Sequence, residues 1–470
     1  MRTYRYHAIF LLLGATALCA PGVALAKDTA PDSASAALLA RLDRLEAEVT
    51  QLRADLAAAR EQSAATTAHL DAQAQAAKAT EVRVAAMEGK PAQISEGFRS
   101  GAVTFKIGGY IKTVASISRY SGGEVAPLAL GRDFYLPQQI PVGGPRGSTN
   151  DEFSAKQSRL FLALSTDVKG HTLKGYVETD FQVASGTQGS ERTTNGYNLA
   201  LRRAYVQFDD LLIGQEWSNF QYVAALPETT DYIGPTEGTV FARQPQVRYS
   251  FHLSKAATLS VSAENPQAAT ATGNNPALVE NDDNHVPDFA ARLNYAASFG
   301  ELSLAGLVAP LRVQNGAQKD EVLGWGVSAA GKVPFGPNKL ADFRFMATYG
   351  QGAGRYLGLN FAPDAILTAA TGKLSKVKNL AAFAAVRWPW TPNIRSTVMG
   401  SFQTADYPDG FPVGNFVTFN HRAWSLAGNV FWTPAKGFDL GVEYRHGKRE
   451  LVNGVSGQLD RVELAAKYGF

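Results

Sequence analysis

Apolar and polar residues alternate one by one along most of the chain. The last ten, RVELAAKYGF, place Val462, Leu464, Ala466, Tyr468 and Phe470 on one face of an extended strand, with Arg461, Glu463, Ala465 and Lys467 on the other. In residues 172–182, Leu173, Gly175, Val177, Thr179 and Phe181 oppose Lys174, Tyr176, Glu178, Asp180 and Gln182. In 202–208, Ala204, Val206 and Phe208 oppose Arg203, Tyr205 and Gln207. In 438–446, Phe438, Leu440, Val442 and Tyr444 oppose Asp439, Glu443 and Arg445. Such segments repeat from about residue 101 to the end, each with one apolar and one wet face.

The connections between them alternate in length. Short turns fall at 167–170, 209–211, 253–256, 298–300, 333–338, 388–393 and 433–437. Long polar loops include 119–152, 216–238, 265–286 and 352–376. Short turns at one end and long loops at the other mark an outer-membrane barrel. With both termini at the short-turn end, these seven turns predict sixteen strands, enough to leave a water-filled bore. Phe335, Trp388, Trp390, Trp432 and Phe438 cluster at the short turns, where a membrane interface favours aromatics. The terminal alternation then has a reason. A barrel in lipid must close its last strand, 457–470, on its first, near VTFKIGGYIKTVAS, because an open edge leaves backbone groups unsatisfied.

The N-terminal part has a different period. Leu38, Leu42, Leu45, Val49, Leu52, Leu56 and Ala59 are spaced alternately four and three apart, flanked by Arg41, Glu46, Glu48, Arg53, Asp55 and Arg60. This is a heptad seam and predicts an oligomerising coiled coil, the alternative being an amphipathic helix lying on the chain's own body. Pro91 and Gly97 mark the linker that follows. Before the seam, Arg2 and Arg5 precede an apolar stretch, Ile9 to Leu13, and Ala24-Leu25-Ala26 has the small-x-small form of a cleavage site. Residues 1–26 therefore read as a removed secretory signal; the apolar run is well short of the ~20 residues a spanning helix needs. The expected organisation is signal 1–26, periplasmic coiled coil and linker 27–100, and barrel 101–470. The fold class is all-β, a 16-stranded antiparallel transmembrane β-barrel preceded by an N-terminal α-helical coiled coil.

Composition narrows the chemistry. The one cysteine, Cys19, lies in the leader, so the mature chain offers no disulfide, thiol catalysis or cysteine-ligated metal. Net charge falls from +3 to +1 once Arg2 and Arg5 leave with the leader, a balance that argues against nucleic acid as partner. The histidines His69, His171, His252, His285, His421 and His446 have no zinc spacing. GAGRYLG at 352–358 lacks the spacing of a phosphate loop and reads as a mobile loop. ENDDNH at 280–285 lacks calcium-loop order and reads as a hydrated external loop. No cofactor, metal site or catalytic constellation is expected.

The wet faces carry more information. Turning the apolar parity to lipid puts Arg159, Arg203, Arg248, Arg292, Arg344 and Arg445 inside, with Lys112 and Lys174. Arg243 precedes Pro245 closely, which leaves its direction open. Arginines from many strands facing one lumen favour anions, and each guanidinium can take a carboxylate in bidentate fashion. Glu178, Asp180, Glu264 and Glu443 share that interior and could instead pair the arginines off. The loop 216–238 carries Glu216, Trp217, Phe220, Tyr222, Glu228, Asp231, Tyr232 and Glu237. Folded into the bore it would set a constriction with a transverse field; otherwise it is an external loop or subunit latch. Tyr110, Tyr205 and Tyr222 would select instead in a sugar-preferring pore, and a structural tether between outer membrane and periplasm is the reading from another class.

The ordered set GGYIKTVAS, RDFYLPQQIPVGG, SAKQSRLFLALST, GYVETDF, LRRAYVQFDDLLIGQEWSNF and RQPQVRYSF resembles the DcaP-like porins of Gram-negative bacteria. The similarity covers 101–470, is clearest over 105–252 and extends to the coiled coil. It implies a homotrimeric outer-membrane porin with a periplasmic stalk that prefers negatively charged solutes, including dicarboxylic and aromatic acids. Arg159, Arg203, Arg243 and Arg248 lie in the matching segments. The closing strand resembles the C-terminal signal, ending in Phe470, by which barrels are handed to the insertion machinery.

Overall fold

The computed structural model describes residues 41, 50, 51, 55 and 97–470, apart from 184–193, 195, 282, 316, 317, 369, 370, 410 and 412. The chain divides into two units, Met1–Gln93 and Ile94–Phe470. In the first, Arg41, Thr50, Gln51 and Asp55 are helical and exposed. Gln51 Nε2 donates to Asp55 Oδ1 at 3.0 Å, one turn along a helix surface. The leader 1–26 and the seam residues from Leu38 to Ala59 lie outside the described residues.

The second unit is a closed antiparallel barrel. Among the described residues its wall has sixteen strands. The first eight are Val103–Tyr120, a strand interrupted at 155–158 (Ser148–Ser154 and Arg159–Val168), His171–Asp180, Ala200–Phe208, Leu211–Trp217, Arg243–His252, Ala257–Glu264 and Asp288–Ala297. The second eight are Gly300–Asn315, Gln318–Phe335, Ala341–Gln351, Lys378–Pro389, Ile394–Asp406, Asn420–Ala435, Phe438–Leu451 and Ser456–Gly469. Closure joins the last strand to the first, from Tyr110↔Gly469 to Tyr120↔Leu459. Gly109 and Phe470 complete the seam, each donating its N–H to the other's carbonyl at 3.1 Å. Gly109 has φ +149°, and a side chain there would meet the Arg159 carbonyl, so only glycine lets the first strand pass this close.

The parity reads as expected from the sequence. On the last strand Val462, Leu464 and Tyr468 are 44–54% exposed, whereas Arg461 and Glu463 are 2% exposed. Apolar side chains therefore face outward and charged ones inward, the arrangement lipid demands. Trp388, Trp390 and Trp432 are exposed at the short turns, and Trp388 contacts both Phe335 and Trp390. Among the described residues, no helix is long and apolar enough to cross a membrane; strands make the crossing. The long-loop rule has exceptions at that end, where only residues 452–455 separate the last two strands.

Two differences concern the bore. It is not simply water-filled, because loops 121–147 and 218–242 fold inward. Phe220, Val240, Leu307, Leu311, Met346, Leu357 and Phe383 form one buried apolar cluster, and Phe134, Leu136, Ile233 and Phe241 another. Loops 265–287 and 352–377 add a four-stranded sheet in which Ala268–Thr272 pairs in parallel with Ala365–Thr368. The segment 352–358, expected to be mobile, is packed under it. Tyr356 is 1% exposed and donates to Asp288 Oδ2 at 2.6 Å, and Arg355 Nη2 donates to the same oxygen at 2.6 Å.

Candidate pore constriction

Five neighbouring strands, from Arg159–Val168 to Arg243–His252, build one basic wall. On the strand Ala200–Phe208 the pairing runs Glu178↔Arg203 and then Thr179↔Leu201. The extra residue is Arg202, a β-bulge. Strict alternation would send Arg202 to lipid; the bulge turns both arginines inward. Arg202 is 2% exposed, donates Nε to Glu178 Oε1 at 2.7 Å and Nη1 to Asp180 Oδ2 at 2.6 Å. It also hydrogen-bonds the Tyr232 hydroxyl. This residue was missed from sequence, and only the adjacent Arg-Arg pair could have hinted at a bulge.

The expected site residues separate into groups. Arg159 lies 3.8 Å from Glu178 and 3.7 Å from Asp180, with its guanidinium over the Tyr110 ring. Arg203 grips Glu216 in a fork, Nε to Oε1 at 2.7 Å and Nη2 to Oε2 at 2.5 Å, and stacks 4.5 Å over Tyr176. Arg344 donates to Asp342 and to the Leu226 carbonyl, both at 2.5 Å. Arg445 donates to Glu443 at 2.8 Å. These arginines are neutralised by neighbours.

Arg248 and Arg292 are not. Among the described residues neither has a carboxylate within 4 Å, and the Arg248 side chain forms no hydrogen bond. Arg292 donates Nη1 to the Gln221 carbonyl and leaves Nε without a partner. Arg248 lies within electrostatic reach of Arg292 and Arg203, and also of Glu216 and Glu264; the three arginines form a ladder along the wall in which only Arg203 has a direct carboxylate partner. Arg243, whose direction the sequence left open, is half-buried at the start of its strand, with its guanidinium 5.0 Å over the Trp217 ring and within electrostatic reach of Arg202 and Asp180. It also lines a rim cavity of about 360 Å³ with Phe241, Gln267 and Arg355.

Of the residues expected on loop 216–238, Glu216 and Trp217 end the wall strand Leu211–Trp217, while Asp231 and Glu237 lie on the loop that crosses the bore. Ser218, Asn219, Thr230, Thr236 and Glu237 are fully buried. Lys112 Nζ donates to the Thr230 carbonyl at 2.6 Å, and Thr229 Oγ1 donates to Glu443 at 2.6 Å. Asp231 caps the turn, accepting from the N–H groups of Tyr135, Ile233 and Gly234 at 2.8–3.1 Å. Trp217 packs edge-on to Phe241 at 4.7 Å. Glu237 accepts from the Tyr135 hydroxyl at 3.3 Å while its other oxygen has no partner. Burial pushes its carboxyl above the ordinary glutamate range. Tyr135 comes from loop 121–147, whose part in the interior was not foreseen. A usable signal existed in the inward alanines Ala305, Ala309, Ala330 and Ala381, all buried. Small apolar inward positions mark a wall that is covered.

Next to the ladder, Phe161, Tyr176 and Tyr205 stack across three strands at 5.6 and 5.4 Å. Among the described residues no group of His, Cys, Asp and Glu is arranged to hold a metal ion.

A family model described as DcaP outer membrane protein matches residues 140–470. The crystal structure of the outer membrane channel DcaP of Acinetobacter baumannii is 27% identical, with a TM-score of 0.65, covering 80% of this chain and 100% of that one. In vitro folded OmpT of Vibrio cholerae is 10% identical, with a TM-score of 0.47 and coverage of 80% and 100%. Salmonella typhi OmpF in complex with daunomycin is 11% identical, with a TM-score of 0.47 and coverage of 79% and 99%. No curated protein matches the chain significantly.

Proposed function

We propose, starting from a chain that belongs to the DcaP outer membrane protein family, that this outer-membrane channel passes small anionic solutes by diffusion, without chemical turnover. The observation that carries the reading is the contrast among the interior arginines. Most are matched by carboxylates, while Arg248 and Arg292 have none within 4 Å, and Arg292 meets the loop at Gln221. Neither guanidinium is held by a carboxylate, so each can offer donors to a passing solute, although Glu216 and Glu264 stand in electrostatic reach. An anion would be drawn in by the field, exchange part of its hydration for the guanidinium donors, and leave because no site is closed around it. Carboxylates, dicarboxylates and aromatic acids fit best, since the ladder offers forked donors beside the stacked rings of Phe161, Tyr176 and Tyr205. The functional unit is a homotrimer held through barrel walls and the heptad segment 27–100, with that segment in the periplasm, the leader 1–26 removed, and Phe470 presented to the insertion machinery.

The test is the reversal potential of purified protein in a planar bilayer under a KCl gradient, with Arg248→Glu as the variant. Arg203 is the poorer choice, because reversing it strands Glu216 beside a second acid. A chloride-selective reversal that moves toward potassium in the variant supports the ladder. Potassium selectivity, or insensitivity to the change, would discard it and leave Glu216, Asp231 and Glu237 or the aromatics as selecting groups. A correctly folded barrel with no conductance would favour the tether.

A further inference from the structure

One acid at the tip of the loop across the bore gathers several wall contacts, beside the separate anchors at Leu226, Thr229 and Thr230. Glu228 accepts Arg395 Nε at 3.0 and 2.8 Å and Arg395 Nη2 at 2.7 Å. Arg387 Nε lies 3.5 Å from Oε2. The Glu228 carbonyl accepts Asn429 Nδ2 at 2.9 Å. Arg395 is itself oriented by Asp439 at 3.0 Å and Thr433 at 2.6 Å. All these partners belong to strands Lys378–Pro389, Ile394–Asp406, Asn420–Ala435 and Phe438–Leu451, sequence-remote from the loop.

We propose that Glu228 is the positioning residue of the channel: its clasp on Arg395 holds the loop against the wall and sets the open cross-section. Two further observations support this. The acid serves structure rather than the pore field, because its charge is met by two guanidinium groups. Behind the loop lies a cavity of about 250 Å³ that Glu228 itself lines, with Tyr110, Lys112, Asp439 and Lys467. The loop thus stands between Arg292, which meets it at Gln221, and a partly open space lined by Lys112 and Lys467. Releasing the tip would join the two sides and widen the path. The inference rests on the channel reading but not on its anion preference.

Opposite charge changes separate a clasp from a mere pore charge. Glu228→Gln removes a negative charge and Arg395→Gln a positive one. As pore charges they would shift the reversal potential in opposite directions and leave channel size alone. As two halves of one clasp they share a phenotype. Losing a charge-assisted contact raises the released population roughly tenfold. Single-channel recording of the full chain should therefore show in both variants a roughly tenfold longer time in a higher-conductance substate. Exclusion of polyethylene glycols should shift to larger sizes in both. Asn429→Ala, which alters no charge, should move the same way less strongly. Unchanged conductance, or opposite responses in the two charge variants, would overturn the clasp. Heat-modifiable migration of each variant confirms a folded barrel before recording. Wild-type protein that conducts with no anion preference would fail the selectivity reading and leave this test intact.

Discussion

A charged side chain in this barrel is defined by what stands within 4 Å of it. Arg202 and Arg248 are both interior arginines, yet they do different work. Arg202 is buried and answers Glu178 and Asp180 together. Removing it leaves two carboxylates, 5% and 1% exposed, that keep the hydroxyls of Tyr176 and Tyr232 but, for countercharge, only the longer contacts of Arg159 and Arg203. Breaking a buried pair from one side costs about 3–5 kcal/mol; with partial compensation, Arg202→Met should destabilise the barrel by on the order of 2–3 kcal/mol. The temperature of its heat-modifiable transition should fall well below wild type, with little change in reversal potential. Arg248→Met should do the reverse, because no carboxylate is orphaned and a free cation is lost. If both variants melt alike and select alike, the division into structural and solute-facing arginines is wrong.

The bulge at Arg202 also shows where sequence legibility ends at the level of elements. Period two is a local property, so strands, turns and lipid-facing parity could be read directly, from Val462 and Leu464 outside to Arg461 and Glu463 inside. A single inserted residue reverses parity without changing composition, and Arg202 was lost for that reason. The inward loops were harder. Nothing local says that Tyr135 meets Glu237 or that Glu228 meets Arg395, because those contacts span 102 and 167 positions. Close passage does leave a local trace. At Gly238 a Cβ would sit 2.4 Å from the Ala382 carbonyl oxygen and 2.6 Å from its carbon. Gly238→Ala should therefore lift the loop and reproduce the substates of the Glu228 variant in single-channel records; an unaltered trace would mean that the backbone absorbs the methyl group. The segment 352–376 carries its own pH signature. Asp364 accepts the N–H groups of Ala269 and Arg355 at 2.8 Å, yet burial pushes its carboxyl up to about 6 from an ordinary value of 3.8. The folded loop thus binds the proton more tightly than the free chain. Its docking is strongest below about pH 4 and weakens as pH rises from there through about 6. Hydrogen exchange of 352–376, corrected for intrinsic rate, should be less protected at pH 7 than at pH 4, and Asp364→Asn should weaken the dependence, leaving the share that comes through Asp288 on Arg355 and Tyr356.

At the scale of the whole molecule, two devices close surfaces that would otherwise be left open. The first closes the barrel on itself. Phe470 supplies both hydrogen bonds to Gly109 at the end of the seam, and in lipid neither backbone group could turn to water. The second device is the heptad segment, which we assign to holding copies of the chain together. These two roles separate physically, because the unit Ile94–Phe470 has its own closed sheet and its own interior. Deleting residues 27–93 while keeping residues 1–26 should therefore leave a folded, heat-modifiable barrel whose reversal potential matches the full chain. Chemically cross-linked trimers of the deleted form should dissociate at lower temperature, since only wall contacts would remain to hold them. Trimers of undiminished heat resistance would assign assembly to the walls alone and return the seam to a periplasmic partner. A changed reversal potential would place the stalk in the ion path, and the arginine ladder would then no longer suffice to explain selectivity.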